Sequence, residues 1–314
     1  GRWQGRIDRL PGTTLDALRT RLVGFRAKAE LARLLANPQR VLGGDLSGSL
    51  ADWIDRVATD ADARALLAMV GRTATYMADP TQIAAQAAVP QIVGALVAGV
   101  RYLDGGWQQL VDALRACADE AGAKFHLDAK SLAIAVAGDR LAVETATMRV
   151  DVDAVVVATG GPQHVASLLG DLSVDVAAWA RQTEPVVMAS LDLHLRELPV
   201  PQRRACFALD APLYFSAHTP AGALAEEGEV VHVAWYGPHN DSTEAELSAF
   251  CDEVQPGWVD QVIDRRFARR LVPTYGVPGP EYGFAGRPGP TIPDLAGVYV
   301  AGDWVGSRGL LADA

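Results

Sequence analysis

Cysteine is scarce in this 314-residue sequence: only Cys117, Cys206 and Cys251, an odd and widely spaced set. A chain this long buries enough surface to stand without covalent staples, so the three read as reduced thiols of a cytosolic protein. Positive charge is short as well. The 28 Lys and Arg against 38 Asp and Glu give a formal charge of -10. That balance argues against nucleic acid as a partner, because phosphate binding needs clustered cations. The six histidines show no metal-ligand spacing; His232 and His239 come nearest and bracket a strand-like segment. The longest apolar stretch, Ile83 to Val100, is broken by Gln86, Pro90 and Gln91 below the ~20 residues a membrane crossing needs. It reads as a buried or groove-lining helix, with a surface-dipping helix as the alternative. No two glycines stand two residues apart, so a G-x-G-x-x-G phosphate turn is absent.

What is present is globular: 49% hydrophobic and 21% charged residues suit one large domain or two interleaved ones. Thr13 to Asp16 is a helix-start signal, and Leu15, Leu18, Leu22, Phe25, Ala29 and Ala32 recur at helical spacing up to Asn37-Pro38. Two more helices are expected over Ser49 to Thr59 and Asp60 to Ala78, making a helical block up to about Val100. After Gly105-Gly106, "WQQLVDALRACADEAGA" predicts a helix with Trp107, Leu110, Leu114 and Ala118 on one apolar stripe. "KFHLDAKSLAIAVAG" and "DRLAVETATMRVD" follow as a hairpin turning at Gly138-Asp139. Ala154 to Ala158 is a continuous apolar strand that belongs in a sheet covered on both faces, followed by a glycine turn and a helix. "PVVMASLDLHL", "RRACFALD", "PLYFSAH" and "EVVHVAWYG" predict a separate, largely antiparallel sheet. Thr243-x-x-Glu246 is a capping box for a helix to Val254, and a Gly/Pro-rich loop runs from Gly276 to Pro293.

The chain closes with "GVYVAGDWVGSRGLLADA". A strand delivers Gly302, which allows close backbone approach, and Asp303, whose carboxylate can accept from hydroxyls. Gly309 can open a helix with free N–H groups facing negative charge. Taken alone, this could equally be a structural turn with a capping Asp.

"AGDWVGSRGLLADA" resembles the carboxy-terminal flavin-binding motif of the phytoene desaturase, protoporphyrinogen oxidase and amine oxidase superfamily of FAD enzymes. The resemblance implies that Asp303 binds the ribityl or pyrophosphate region of FAD. It also implies that the Gly309, Leu310 and Leu311 backbone lies against the pyrimidine side of the flavin. Asp104 to Ile134 is similar to the family's Gly-Gly helix, strand and Val-x-x-Ile turn, with Ala129 and Leu132 at the Val and Ile positions. Adenine contact through the Ala129 backbone is implied. "DAVVVATGGP" is a third match, with Thr159 near the adenosine half, and Val254 to Gly276 resembles the substrate-domain stretch more weakly.

The implied fold is α/β: an FAD/NAD(P)-binding Rossmann-like domain, incomplete, interleaved with an α+β substrate domain on a mixed or antiparallel sheet. The expected segments are 1–103 and 171–294 for the substrate domain and 104–170 and 295–314 for the FAD domain. Because the family places its glycine-rich βαβ unit at the amino end and this chain starts at Gly1, a fragment of a longer flavoenzyme is expected. The implied activity is hydride transfer from a substrate C–H to FAD. Asp303 with "RGLLADA" is closer to the desaturase side, so a small, apolar, isoprenoid-like substrate leads, with a flavin amine oxidase as the alternative. A non-catalytic relative that binds prenylated proteins, or an inactive fragment, is the competing class. A peripheral membrane contact and the oligomeric state stay open. Trp235, Tyr236, Tyr275 and Tyr282 could line a pocket, though core packing is the commoner use of such aromatics. Arg265, Arg266, Arg269 and Arg270 could grip an anion or form a solvated face. No catalytic residue is assigned.

Overall fold

The computed structural model describes residues 1–10, 19–99, 102–138, 140–219 and 223–311. Strands β1 (Arg2–Trp3) and β2 (Arg6–Ile7) precede helices α1 (Phe25–Leu35), α2 (Pro38–Leu42), α3 (Leu50–Val57), α4 (Ala61–Thr75) and α5 (Ala85–Ala98). Helix α6 (Gln108–Glu120) leads to β3 (Ser131–Ala137), β4 (Arg140–Thr145), β5 (Arg149–Val152) and β6 (Val155–Val157), then α7 (Pro162–Leu169) and α8 (Val174–Gln182). After these come β7 (Val186–Leu195), β8 (Ala205–Phe207), β9 (Leu213–Ala217), β10 (Glu229–Tyr236), α9 (Thr243–Val254), β11 (Val262–Thr274) and β12 (Val298–Val300).

The chain forms two compact units, one of Gly1–Gln109 with Val187–Pro273 and the other of Leu110–Val186 with Thr274–Ala314. The crossings thus follow residues 109, 186 and 273. Trp179 of α8, Tyr275 and Ile292 pack with β6 and β12, which draws those flanking segments into the second unit.

In the first unit the sheet order is β11-β7-β10-β9-β8, with β7, β10, β9 and β8 paired antiparallel in turn. Alternation decides its faces. Leu191, Leu193 and Leu195 of β7, Phe215 of β9, and Val231 and Val233 of β10 are buried with Leu247, Phe250, Cys251 and Val254 of α9. Each such side chain contributes about 1.5–3 kcal/mol relative to exposure. Gln255 closes the helix fully buried, and its amide is satisfied by Val200 and Arg203 backbone groups. Ser49 and Asp52 form a reciprocal capping box on α3, and Asp60 caps α4.

In the second unit β6 and β12 are parallel, Val155 to Val157 against Val298 to Val300. Beside them, β3-β4-β5 form an antiparallel sheet. Val157, Val298 and Val300 meet Ile134, Leu141, Val165 and Leu169 in one core.

Several expectations are corrected. The first helix does not run continuously to Asn37: residues 20–24 are non-helical, because Thr20 bonds to Arg9 O and Leu22 N–H, and Gly24 N–H goes to Asp62. Phe25, placed on its apolar stripe, is 85% exposed, and Ala27 and Leu31 are buried instead. Leu15 and Leu18 lie outside the described residues. The stripe of α6 is not buried either: Trp107 is 66% and Leu114 63% exposed. Strand β6 is covered on one face only, with Val156 65% exposed. The α9 cap is Ser242, whose hydroxyl donates to Glu246, rather than Thr243. The stretch that resembles the substrate domain contains strand β11 (Val262–Thr274), which local pattern did not mark as a strand. Its arginines suit a charged sheet edge, with Arg265 paired to Glu244 and Arg269 to Asp241. Among the described residues, no helix is long and apolar enough to cross a membrane.

Candidate functional site

Strands β6 and β12 run side by side in the same direction, so both deliver their next residues to one edge of the sheet. In open α/β sheets, crevices that bind ligands form at the carboxyl ends of parallel strands. Here those residues are Ala158, Thr159 and Gly160 from β6, and Ala301, Gly302 and Asp303 from β12. Val157, Val298 and Val300 are buried, while Thr159 and Gly302 are exposed.

The two turns are pinned to each other. Trp304, 1% exposed, donates its indole N–H to Gly160 O at 2.9 Å. A Cβ on Gly161 would sit 2.4 Å from Tyr275 Cδ1, so the ring of Tyr275 lies directly on the β6 turn. Tyr275 in turn gives its backbone N–H to Asp303 Oδ2 at 3.0 Å. That bond orients the carboxylate and leaves Oδ1 to accept from a hydroxyl. Gly276 packs on Trp304, where a Cβ would come within 2.6 Å of the Trp304 Cα.

Arg287 ties the final segment to the same edge. It donates Nη1 to Gly309 O at 2.8 Å and Nη2 to Gly276 O. Burial lowers its pKa, and the Asp303 carboxylate counters that effect. Its Nε is buried without a partner among the described residues. A buried, orphaned cationic donor is costly unless something else takes its hydrogen bond.

Thr159, Gly302 and Asp303 are therefore brought together. Gly309 and Leu310 approach through Arg287, but the helix expected to open at Gly309 is not formed there. Gly309 (φ +80) and Leu311 (φ +55) are in left-handed conformations. Leu311 is in a 3-10 turn, and residues 312–314 lie outside the described set. The Leu310 side chain is 4% exposed, which leaves only its backbone to face a ligand. Ala129 sits on the lead-in to β3, after Asp128 with φ +56. Sequence reasoning missed Arg287, which lies in the Gly/Pro-rich loop with no local motif to mark it.

A second polar constellation, also missed, lies in the first unit on the sheet face opposite α9. Asp192 accepts from the Ser190 hydroxyl at 2.6 Å and from His232 Nδ1 at 2.8 Å. Burial alone would raise the Asp192 pKa, but the His232 and Ser190 hydrogen bonds hold it below the ordinary value. The His218 ring lies 5.3 Å from that of His232 and 4.9 Å from that of Tyr102. Burial and the neighbouring His232 lower the His218 pKa. The signal was there in the alternation of "SLDLHL" and "VVHVAW", which sends Ser190, Asp192 and His232 to one face.

Comparison with known proteins supplies the class. The FAD dependent oxidoreductase family, DAO, matches residues 15–312. The chain belongs to that family. It is an FAD-dependent oxidoreductase, and FAD is its cofactor. No curated protein sequence matches it. Solved structures share the fold at low identity. An oxidoreductase from Methanosarcina mazei is 17% identical over 92% of this chain and 70% of its own, with a TM-score of 0.70. Cyclohexylamine oxidase from Brevibacterium oxydans is 12% identical over 92% of this chain and 72% of its own, TM-score 0.59. A protoporphyrinogen oxidase-like protein from Exiguobacterium is 17% identical over 98% and 73%, TM-score 0.63.

The residues at the β6 and β12 turns fit this family's cofactor chemically. Asp303 offers a fixed acceptor for the hydroxyls of FAD, and Arg287 offers a buried Nε donor without a partner among the described residues.

Proposed function

We propose that the protein dehydrogenates a small apolar substrate, isoprenoid-like in character, with FAD held at the carboxyl ends of β6 and β12. Bound FAD supplies the hydride acceptor. The chain's own part is to hold and orient: Asp303 takes a cofactor hydroxyl, and Arg287 anchors the Gly309 segment while keeping its Nε for the ligand. Trp304 locks the two turns in register. The observation that carries the cofactor placement is the Asp303 carboxylate, fixed by the Tyr275 N–H with one oxygen to spare. The apolar substrate rests on the likeness of "AGDWVGSRGLLADA" to the desaturases.

A second reading, oxidation of an amine, is supported by the likeness of fold to cyclohexylamine oxidase.

Two measurements test these readings. Asp303→Ala should lower FAD occupancy, read from the flavin absorbance of purified protein, and unchanged occupancy overturns the placement. Anaerobic bleaching of the bound flavin by polyprenes but not by amines supports the apolar reading, and the reverse supports the second.

A further inference from the structure

Three helices of the first unit, α1, α2 and α3, border a half-open cavity of about 720 Å³. That is within the range of small-molecule pockets, roughly 300–1,000 Å³. Trp53, 3% exposed, forms its floor, with Leu34 and Val41 beside it, and Arg33, Arg40 and Arg56 around the rim. The same Leu34, Val41 and Trp53 also line a shallow, wholly apolar groove that continues to Leu96 and Val97 on the last turns of α5. Those two residues are 50% and 68% exposed. Charged cavity and apolar groove thus share three lining residues.

The charges around the cavity are not self-compensating. Glu30 is occupied by the Thr59 hydroxyl and by the Thr59 and Asp60 N–H groups. Asp45 is paired with Arg56, which also donates to the Asp45 and Ser47 carbonyls. Arg33 and Arg40 have no ion-pair partner among the described residues. Both side chains are exposed beside the cavity.

We propose that this surface binds a free, single-chain amphiphile with an anionic head, such as a long-chain carboxylate or alkyl phosphate. Arg33 and Arg40 take the head in the cavity, and the chain lies along Leu34, Val41, Leu96 and Val97. Guanidinium suits a carboxylate or phosphate head because its donors form a planar fork. A concave cavity with a buried tryptophan floor suits a single molecule better than the flat surface of a bilayer. The inference goes beyond the flavin reading and needs no flavin, so the two can fail separately.

The test is calorimetric titration with dodecyl phosphate below its micelle concentration, alongside dodecyltrimethylammonium, inorganic phosphate and vesicles of anionic phospholipid. Saturable one-to-one binding of dodecyl phosphate is expected, about tenfold or more tighter than that of the ammonium amphiphile, and inorganic phosphate alone should bind far more weakly. Arg33→Ala with Arg40→Ala should lose about tenfold in affinity at an unchanged melting temperature, both side chains being exposed. Leu96→Glu should weaken dodecyl phosphate without creating affinity for inorganic phosphate. Equal binding of the two amphiphiles, indifference to the double arginine variant, or association with vesicles alone would overturn the proposal.

Discussion

Replacing Trp304 tests the tie between the two turns most directly. The side chain is 1% exposed and makes one hydrogen bond, Nε1 to Gly160 O at 2.9 Å. Its ring also stacks at a tilt on Trp179, with 6.1 Å between centroids. A buried tryptophan removes roughly 150–250 Å² from water, worth about 4–6 kcal/mol at ~25 cal/mol per Å². Trp304→Ala should therefore destabilise the second unit by about 3–5 kcal/mol, a large part of the ~5–15 kcal/mol that holds a domain together. Trp304→Phe keeps most of the ring and loses the donor, which leaves the Gly160 carbonyl short of a partner, for about 1–3 kcal/mol. The assay is urea unfolding followed by far-ultraviolet circular dichroism, run with and without FAD. The alanine variant should also lose the stabilisation that added FAD gives, because the two turns that hold the cofactor are no longer in register. An alanine variant within 1 kcal/mol of the parent protein would refute the reasoning, as would equal costs for alanine and phenylalanine, which would make the hydrogen bond and not the burial decisive.

Three further outcomes are expected. Gly276→Ala places a Cβ 2.4 Å from the Trp304 Cβ, so it should cost about 1–3 kcal/mol by overpacking; an unchanged melting temperature contradicts the close approach of loop and indole. At pH 8 a thiol reagent should modify exposed Cys117 rapidly. Burial pushes the Cys206 thiol up and the Cys251 thiol to about 12, so both should react only after unfolding, and more than one fast thiol contradicts this packing. The pKa of Asp192 is depressed in the folded state, so its contribution is present above the ordinary carboxylate value of about 3.9 and lost as pH falls below it. The stability gap between the parent protein and Asp192→Asn should therefore shrink between about pH 5 and pH 2, and a gap that widens on acidification runs against it.

The sequence carried much of this architecture where a local rule applied. The run "DAVVVATGGP" and the closing "VYVAGD" each announced an apolar strand ending in a glycine turn, and the two proved to be parallel neighbours. The alternating "SLDLHL" gave an antiparallel strand with its apolar side inward. Failures came where periodicity had no packing partner to act on. Trp107 and Leu114 repeat at helical spacing, yet spacing cannot say whether anything covers the stripe. Phe25 fitted the spacing of a helix that Thr20 and Asp62 interrupt through bonds set by tertiary contacts. Arg287 was illegible for a similar reason: its role comes from two carbonyls, on Gly276 and Gly309, that only the folded loop brings within reach.

The pairing of β6 with β12 also sets a timetable for synthesis. Gly160 and Trp304, whose bond closes the site, are 144 residues apart in the chain. At a ribosomal pace of roughly 5–20 residues per second, the β6 turn waits about 7–30 s for its partner. For that interval the strand Val155–Val157 has lost its only neighbour among the described residues, and its edge is open to any other extended chain. The whole intervening first-unit sheet, β7 to β11, is made during the same interval and can fold first. Yield in a cell should then depend on how well nascent β6 is shielded, so slower translation between Val186 and Val298 would favour aggregation over a completed cofactor site.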